Sequence, residues 1–236
     1  MDAPATYDVA FQSKADTAPG TGTFRFDKPA GYTFTPGQFM SVSLGTREGE
    51  QTKHFTHDQA PADPYLELTT RLTGSAFKDA LLALMPGQTV RIAGPRGRMT
   101  LPPDAHKAAF LVGGVGITPA RSIIRDAMQR HTGLEVALFY GNLDEGSIPF
   151  GEEFDGYAAA HPEMLVVHVL EKPAAGWTGE RGFITAEIVR RHVDPLDGWH
   201  WVVTGPPGMI TAMGRVVADL AIPGDRVSTE SFAGYA

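Results

Sequence analysis

From Thr6 to Gly94 the chain runs in short segments where apolar and polar positions alternate, bounded by Pro, Gly or Asp. That rhythm predicts strands at Tyr7–Ser13, Thr21–Phe26, Gln38–Leu44, Gln51–Thr56, Tyr65–Leu72 and Thr89–Ile92. Turn residues such as Pro19-Gly20, Pro36-Gly37 and Pro86-Gly87 separate them. Short strands at this spacing in about a hundred residues predict a small, closed or nearly closed antiparallel barrel. One segment departs from the rhythm. After Gly74-Ser75, residues Phe77, Ala80, Leu81 and Leu84 recur at helical spacing. A helix there either caps the open end of the barrel or offers its start to a phosphate.

Leu101-Pro102-Pro103-Asp104 is the predicted linker, and the pattern changes beyond it. Strands at Ala108–Val112, Val136–Tyr140, Leu165–Val169, Trp201–Thr204 and Arg226–Thr229 alternate with helices at Pro119–Gln129, Pro149–Ala159, Thr185–Arg190 and Pro207–Leu220. Such alternation predicts a parallel sheet covered by helices on both faces. The chain therefore divides into an antiparallel barrel over residues 1–103 and a Rossmann-like α/β domain over residues 104–236.

Two stretches carry candidate chemistry at the carboxyl edge of that parallel sheet, where α/β folds bind ligands. In the first, an apolar strand enters Gly113, Gly114 and Gly116, with Thr118 placed to cap the next helix and Pro119 to open it. Pro119 stands where a third glycine would complete a dinucleotide fingerprint, so the helix begins early. In the second, Thr204-Gly205-Pro206-Pro207-Gly208-Met209 makes a similar elbow. On the barrel, Lys53-His54-Phe55-Thr56 offers a cation, a ring and a hydroxyl at a strand end. His54 and His57 are three apart and point to opposite faces of a strand, so no metal is expected.

Charge and composition narrow the field. The net charge of −7 falls wholly after Pro103, where acidic residues outnumber basic ones, which speaks against nucleic-acid binding. The absence of cysteine excludes disulfides, a cysteine-ligated cluster and thiol catalysis. With no signal-peptide start and no apolar run of membrane length, the expected location is the cytoplasm. Arg96-Gly97-Arg98, near Arg91, is either a solvated rim or a docking surface for an acidic partner.

The order of these motifs resembles the ferredoxin–NADP reductase superfamily over nearly the whole chain. Pro36-Gly37-Gln38-Phe39, Lys53–Thr56, Gly74–Phe77, Gly94–Gly97, Gly113–Pro119, Gly205–Met209 and Glu230-Ser231-Phe232 each match a family motif in sequence order. The resemblance implies that Phe55 stacks on a flavin, with Thr56, Thr204 and Glu230 as the catalytic polar groups around its reacting nitrogen. It places Lys53, His54, Arg71 and residues Gly74, Ser75, Ala76 and Phe77 along the flavin and its phosphate. Gly114, Gly116 and Thr118 would hold the nicotinamide dinucleotide, Gly205 and Pro206 would shape the nicotinamide side, and Phe232 or Tyr235 would cover the flavin. The chain departs from the family at Lys53 (usually Arg), Phe55 (usually Tyr), Phe77 (usually Ser) and Thr204 (usually Cys).

By the same resemblance the chain is an NAD(P)H-dependent flavin oxidoreductase. FAD is favoured over FMN, and electrons pass to a protein carrier such as ferredoxin, flavodoxin or an oxygenase component. The acidic Gly141–Glu145 segment offers no Arg or Lys to a 2′-phosphate, which favours NADH over NADPH. Two other readings fit the motifs: a reductase of free flavin or small acceptors, and a non-catalytic electron-transfer subunit.

Overall fold

The computed structural model describes residues 4–232. The first half forms β1 (Thr6–Ala18), β2 (Thr21–Asp27), β3 (Phe39–Thr46), β4 (Gly49–Thr56), β5 (Tyr65–Arg71), α1 (Ala76–Leu82) and β6 (Thr89–Arg96). These six strands make one antiparallel sheet in the order β4-β3-β6-β1-β2-β5. The sheet curls on itself so that its two edges approach: beyond β4, the Asp58 amide donates to the Glu67 carbonyl of β5 at 3.5 Å. Phe11, Phe24, Phe26, Met40, Leu66, Leu68 and Ile92 fill the interior at 1% exposure or less, and Phe77 and Leu81 of α1 complete that core. The sequence pattern ends β1 at Ser13, but the strand continues through polar Lys14–Thr17 to Ala18. The reason is pairing: residues 6–10 pair with β6, and residues 11–18 pair with β2, so backbone hydrogen bonds recruit a stretch with no apolar signal.

The second half forms β7 (Lys107–Gly113), α2 (Ile117–Arg130), β8 (Glu135–Asn142), α3 (Gly151–Ala160), β9 (Met164–Leu170), β10 (Glu180–Arg181), α4 (Ala186–His192), β11 (His200–Gly205), α5 (Pro207–Asp219) and β12 (Val227–Ser231). All its strand pairs are parallel, in the order β10-β9-β8-β7-β11-β12. The order runs outward from β7 in both directions, which puts the chain reversal between β7 and β11, at the ends of the two glycine elbows. Separate apolar clusters lie on the two faces, one under α2 and α3, the other under α4 and α5. The segment between β6 and β7 is tied down rather than slack, because Met99 is buried in the first of these clusters. Gly37 is required there: its φ is +92°, and a Cβ would meet the Met99 carbonyl oxygen at 1.8 Å.

The halves are joined by charge. Arg121 of α2, only 3% exposed, donates to Glu67 Oε1 of β5 at 2.6 Å, to the Asp58 carbonyl at 3.0 Å and to Glu153 of α3 at 2.8 Å. Its guanidinium also lies 3.9 Å from the centre of the Phe150 ring. One turn on, Arg125 reaches Asp63 at 2.7 Å and Glu153 at 3.0 Å, and the next turn brings Gln129 to Asp63 at 3.1 Å. Ser122 donates to the Gln59 carbonyl at 2.7 Å. Burial against Glu67 pushes the Asp58 carboxyl well above its ordinary pKa. The polar positions 121, 125 and 129 would read as a solvated stripe by spacing alone; here they face the barrel. Removing one partner of a buried pair leaves the other uncompensated. Arg121→Ala should therefore lower unfolding free energy by about 3–5 kcal/mol, measured by urea denaturation.

The barrel also contains a buried neutral histidine. His57 stacks on Phe34 at 4.1 Å, its Nδ1 lies 2.7 Å from the Gln38 carbonyl and its Nε2 lies 2.9 Å from the Tyr32 hydroxyl. A carbonyl only accepts, so Nδ1 carries the proton and Nε2 accepts from Tyr32. Burial moves the His57 pKa from 6.5 down to about 4. The unfolded chain takes up this proton first, so the His57 contribution is complete above pH 6.5 and is lost as pH falls towards 4. Urea midpoints of wild type should fall across that interval more steeply than those of His57→Phe.

Candidate functional site

The carboxyl edge of the parallel sheet opens into a cavity of about 650 Å³. Its floor is the turn Gly113–Gly116 and the elbow Gly205-Pro206; α5 contributes Met209 and Met213. One wall is Asn142-Leu143-Asp144 at the end of β8, with Gly182-Phe183-Ile184 beyond β10. The opposite wall is the barrel, through Pro19, Thr21 and Arg71, and Phe232 closes one side. Both halves of the molecule thus build it.

The two elbows touch. A Cβ on Gly116 would lie 2.8 Å from Gly205 Cα and 2.9 Å from the Thr204 carbonyl oxygen, both backbone atoms. Thr204 Oγ1 donates to the Gly116 carbonyl at 2.7 Å, and the Phe232 amide donates to the Gly205 carbonyl at 3.1 Å. The turn, the elbow and the last strand are therefore fixed to one another. Gly114 has φ +51° and open space where a Cβ would stand, so its backbone is free to approach a ligand. The helix after the turn starts at Ile117, with Gly116 at the cap position and no side-chain cap. Thr118 is accordingly not the cap expected from sequence: it sits inside the first turn, 4% exposed, and does not line the cavity. The glycine run winds one short 3-10 turn over residues 114–116, which brings the helix start forward.

The barrel motif lies elsewhere on the same molecule. Lys53 and His54 are exposed on β4, where Ser41 Oγ lies 2.9 Å from His54 Nδ1. Thr56 is 3% exposed, and its hydroxyl is buried with no hydrogen-bond partner. Phe55 is packed inside the barrel at 5% exposure, 5.7 Å from the Phe77 ring and with Lys78 Nζ 4.5 Å from its own centre. Burial lowers the Lys78 pKa to about 7. Gly74 turns with φ +70°, and Ser75 caps α1 by accepting from the Lys78 amide, while Ala76 and Phe77 are core residues. Of the residues expected from sequence, the cavity gathers Arg71, Gly114, Gly116, Gly205, Pro206 and Phe232. Lys53, His54, Phe55, Thr56 and Gly74–Phe77 lie apart from it, on β4 and at α1. Tyr235 lies outside the described residues. Among the described residues, no group of three His, Cys, Asp or Glu could hold a metal ion.

Glu230 stands beside Thr204 across the β11–β12 pairing. Its Oε2 is buried and unpartnered, and burial raises its pKa. Buried polar atoms usually have partners. The orphan oxygens of Thr56, on the barrel, and Glu230, on the last strand, are both enclosed, and neither residue lines the cavity. Among the described residues, Arg71 is the single cation lining the cavity, against the carboxylates Asp144 and Glu171. The sequence named Met209 only as part of its elbow and Leu143 only within the acidic segment, and gave no sign of Phe183. Phe183 and Leu143 are large apolar side chains left 70% and 46% exposed, a signal visible only in three dimensions.

Comparison with known proteins places this geometry. Residues 110–215 match the family model described as an oxidoreductase NAD-binding domain. NADH-cytochrome b5 reductase 1 of Neosartorya fischeri is 30% identical over 231 residues, covering 90% of this chain and 74% of that protein. The protein of the same name from Aspergillus fumigatus is 33% identical with the same coverage. Among solved structures, the cytochrome b5 reductase domain of Ulva prolifera nitrate reductase superposes with a TM-score of 0.84 at 21% identity, covering 97% of this chain and 100% of that one. A ferredoxin NADP+ reductase from Neisseria gonorrhoeae with bound FAD and NADP gives 0.81 at 18% identity, covering 96% and 98%. Both structural matches share the two-part fold described above.

Two glycines at the cavity floor meet different neighbours. Gly113→Ala would press on the thioether of Met209, the end of a flexible side chain, whereas Gly116→Ala would press on backbone of the neighbouring elbow. Gly116→Ala should therefore be the more destabilising by about 1–3 kcal/mol, read as the difference between the two thermal midpoints.

Proposed function

Because this chain belongs to the NADH-cytochrome b5 reductase family of the ferredoxin–NADP reductase superfamily, we propose that its cavity binds NADH beside an FAD held on the barrel. The observation that carries the reading is the shared cavity itself, with a glycine elbow pair on one wall and the barrel's Arg71 on the other. Bound FAD supplies acceptance of a hydride from NADH and onward release of single electrons to a protein carrier.

The residues of the chain then have distinct tasks. Gly114 lets the backbone approach the dinucleotide pyrophosphate, Gly116 lets the two elbows touch, and Arg71 offsets the pyrophosphate charge from across the cleft. Phe183 and Leu143, at the exposed lip, hold the adenine between apolar surfaces. Asp144 and Glu171 favour the 2′-hydroxyl of NADH over the 2′-phosphate of NADPH. Gly205 and Pro206 shape the nicotinamide end, with Thr204 fixing their position through its bond to Gly116. Thr56 and Glu230 would be the polar groups near the flavin ring edge, with burial raising the Glu230 pKa. Phe232, at the side of the cavity, would cover the flavin face. Lys53, His54 and the Gly74–Phe77 segment flank the rest of the cofactor. Phe55 supports it from below, as a core ring on Phe77, rather than as an exposed plate.

The carrier is a one-electron protein acceptor, and the relatives' names support a small haem protein over ferredoxin or flavodoxin. Arg96, paired with Phe39 at the end of β6, and Arg98 just beyond it are exposed and suit an acidic one. No helix among the described residues is long and apolar enough to cross a membrane.

Purified protein should release FAD on denaturation, and kcat/KM for NADH should exceed that for NADPH by about tenfold or more. Release of FMN, or a preference for NADPH, would contradict the assignment. Phe55→Ala is a poor test of flavin contact, because truncating a buried Phe costs about 3–5 kcal/mol of stability on its own.

A further inference from the structure

The cavity floor contains a reactive side chain to which hydride transfer gives no role. Met209 lies in the first turn of α5, and its thioether is directed back over the elbow that precedes the helix. Its sulfur fills the space left by two glycines: a Cβ would lie 2.3 Å from it on Gly113 and 2.8 Å from it on Gly205. The side chain is half-buried and lines the cavity. Five other described methionines, Met40, Met99, Met128, Met164 and Met213, are exposed by 8% or less, and Met85 is 66% exposed. Met85 and Met209 are thus the two described methionines with more than marginal exposure; of the two that line the cavity, Met209 and Met213, only Met209 is not fully buried.

We propose that Met209 is a site of oxidation by hydrogen peroxide, and that the sulfoxide shuts the cavity to NADH. This rests on the reading of the cavity as the NADH site. In the reaction the peroxide O–O bond breaks and an S–O bond forms. The sulfur loses two electrons, and the peroxide leaves as water. Peroxide is the product when dioxygen, instead of the protein carrier, takes the electron pair of such a reductase, so the oxidant arises at the site it acts on. The glycine side of the sulfur has no room for the new oxygen. The oxygen must project into the cavity, or the side chain must leave the floor and enter the same space. Either outcome places a polar group where the dinucleotide has to lie, while the barrel is untouched. Reduction of the sulfoxide by methionine sulfoxide reductases makes the block reversible.

The test uses the flavin-loaded protein treated with graded hydrogen peroxide, peptide mass spectrometry, flavin content and KM for NADH. The expected result is one added oxygen on Met209 as well as Met85, a rise in KM of about tenfold or more, and unchanged flavin. Treatment with methionine sulfoxide reductase restores KM. Met85→Leu responds to peroxide as wild type does, whereas Met209→Leu keeps its own starting KM. The proposal is overturned if Met209 remains a thioether at a dose that converts Met85, or if protein oxidised at Met209 keeps its KM. Untreated protein that fails to bind NADH at all would count instead against the reading of the cavity.

Discussion

The guanidinium of Arg121 is the contact on which the rest of this architecture depends. A parallel sheet and a barrel each fold around their own apolar core, and neither core says how the two should meet. Arg121 settles the matter by taking Glu67 and the Asp58 carbonyl from the barrel and Glu153 from α3 at one buried point. Arg125, Ser122 and Gln129 repeat the attachment along the same helix. Since α2 follows directly from the glycine turn, anchoring the helix fixes where the turn faces the barrel. A buried ion network is a weak source of net stability but a demanding one in geometry, since a misplaced partner leaves a charge uncompensated. Its task here is registration of two halves across a shared cleft.

Much of the fold was legible because local chemistry and tertiary structure agree. Alternation and turn residues marked all the barrel strands, and the Thr185 start of the helix after β10 is borne out by its hydroxyl accepting from the Ile188 amide at 3.2 Å. The departures have physical causes. Lys14–Thr17 gives no apolar signal yet extends β1, because pairing with β2 stabilises it. The two-residue β10 is too short for any period to show. The helix after β8 starts at Gly151, two residues later than expected, because Phe150 adopts a left-handed conformation with φ 59°. Above all, the stripe Arg121–Arg125–Gln129 has the spacing of a solvent face, and only the opposing barrel carboxylates reveal it as an interface.

The site was legible in its glycines and less so in its side chains. The two elbows could be read from Gly, Thr and Pro in order, since backbone approach needs those residues at those places. Phe55 shows the limit: the motif calls for a ring, but the strand turns that ring into the core against Phe77. Conversely, the orphan oxygens of Thr56 and Glu230 acquire meaning only when burial is known. Met209 belongs to a legible motif, yet its role follows from the two missing Cβ atoms beneath it.

The central claim is that one cleft, built by both halves, brings NADH to a barrel-bound flavin. Rapid mixing of the flavin-loaded protein with NADH in the absence of oxygen tests it most directly. The account predicts that the visible absorption of the oxidised flavin, at about 450 nm, bleaches in a single NADH-dependent phase whose rate saturates with NADH concentration. A flavin that stays oxidised under saturating NADH would contradict it.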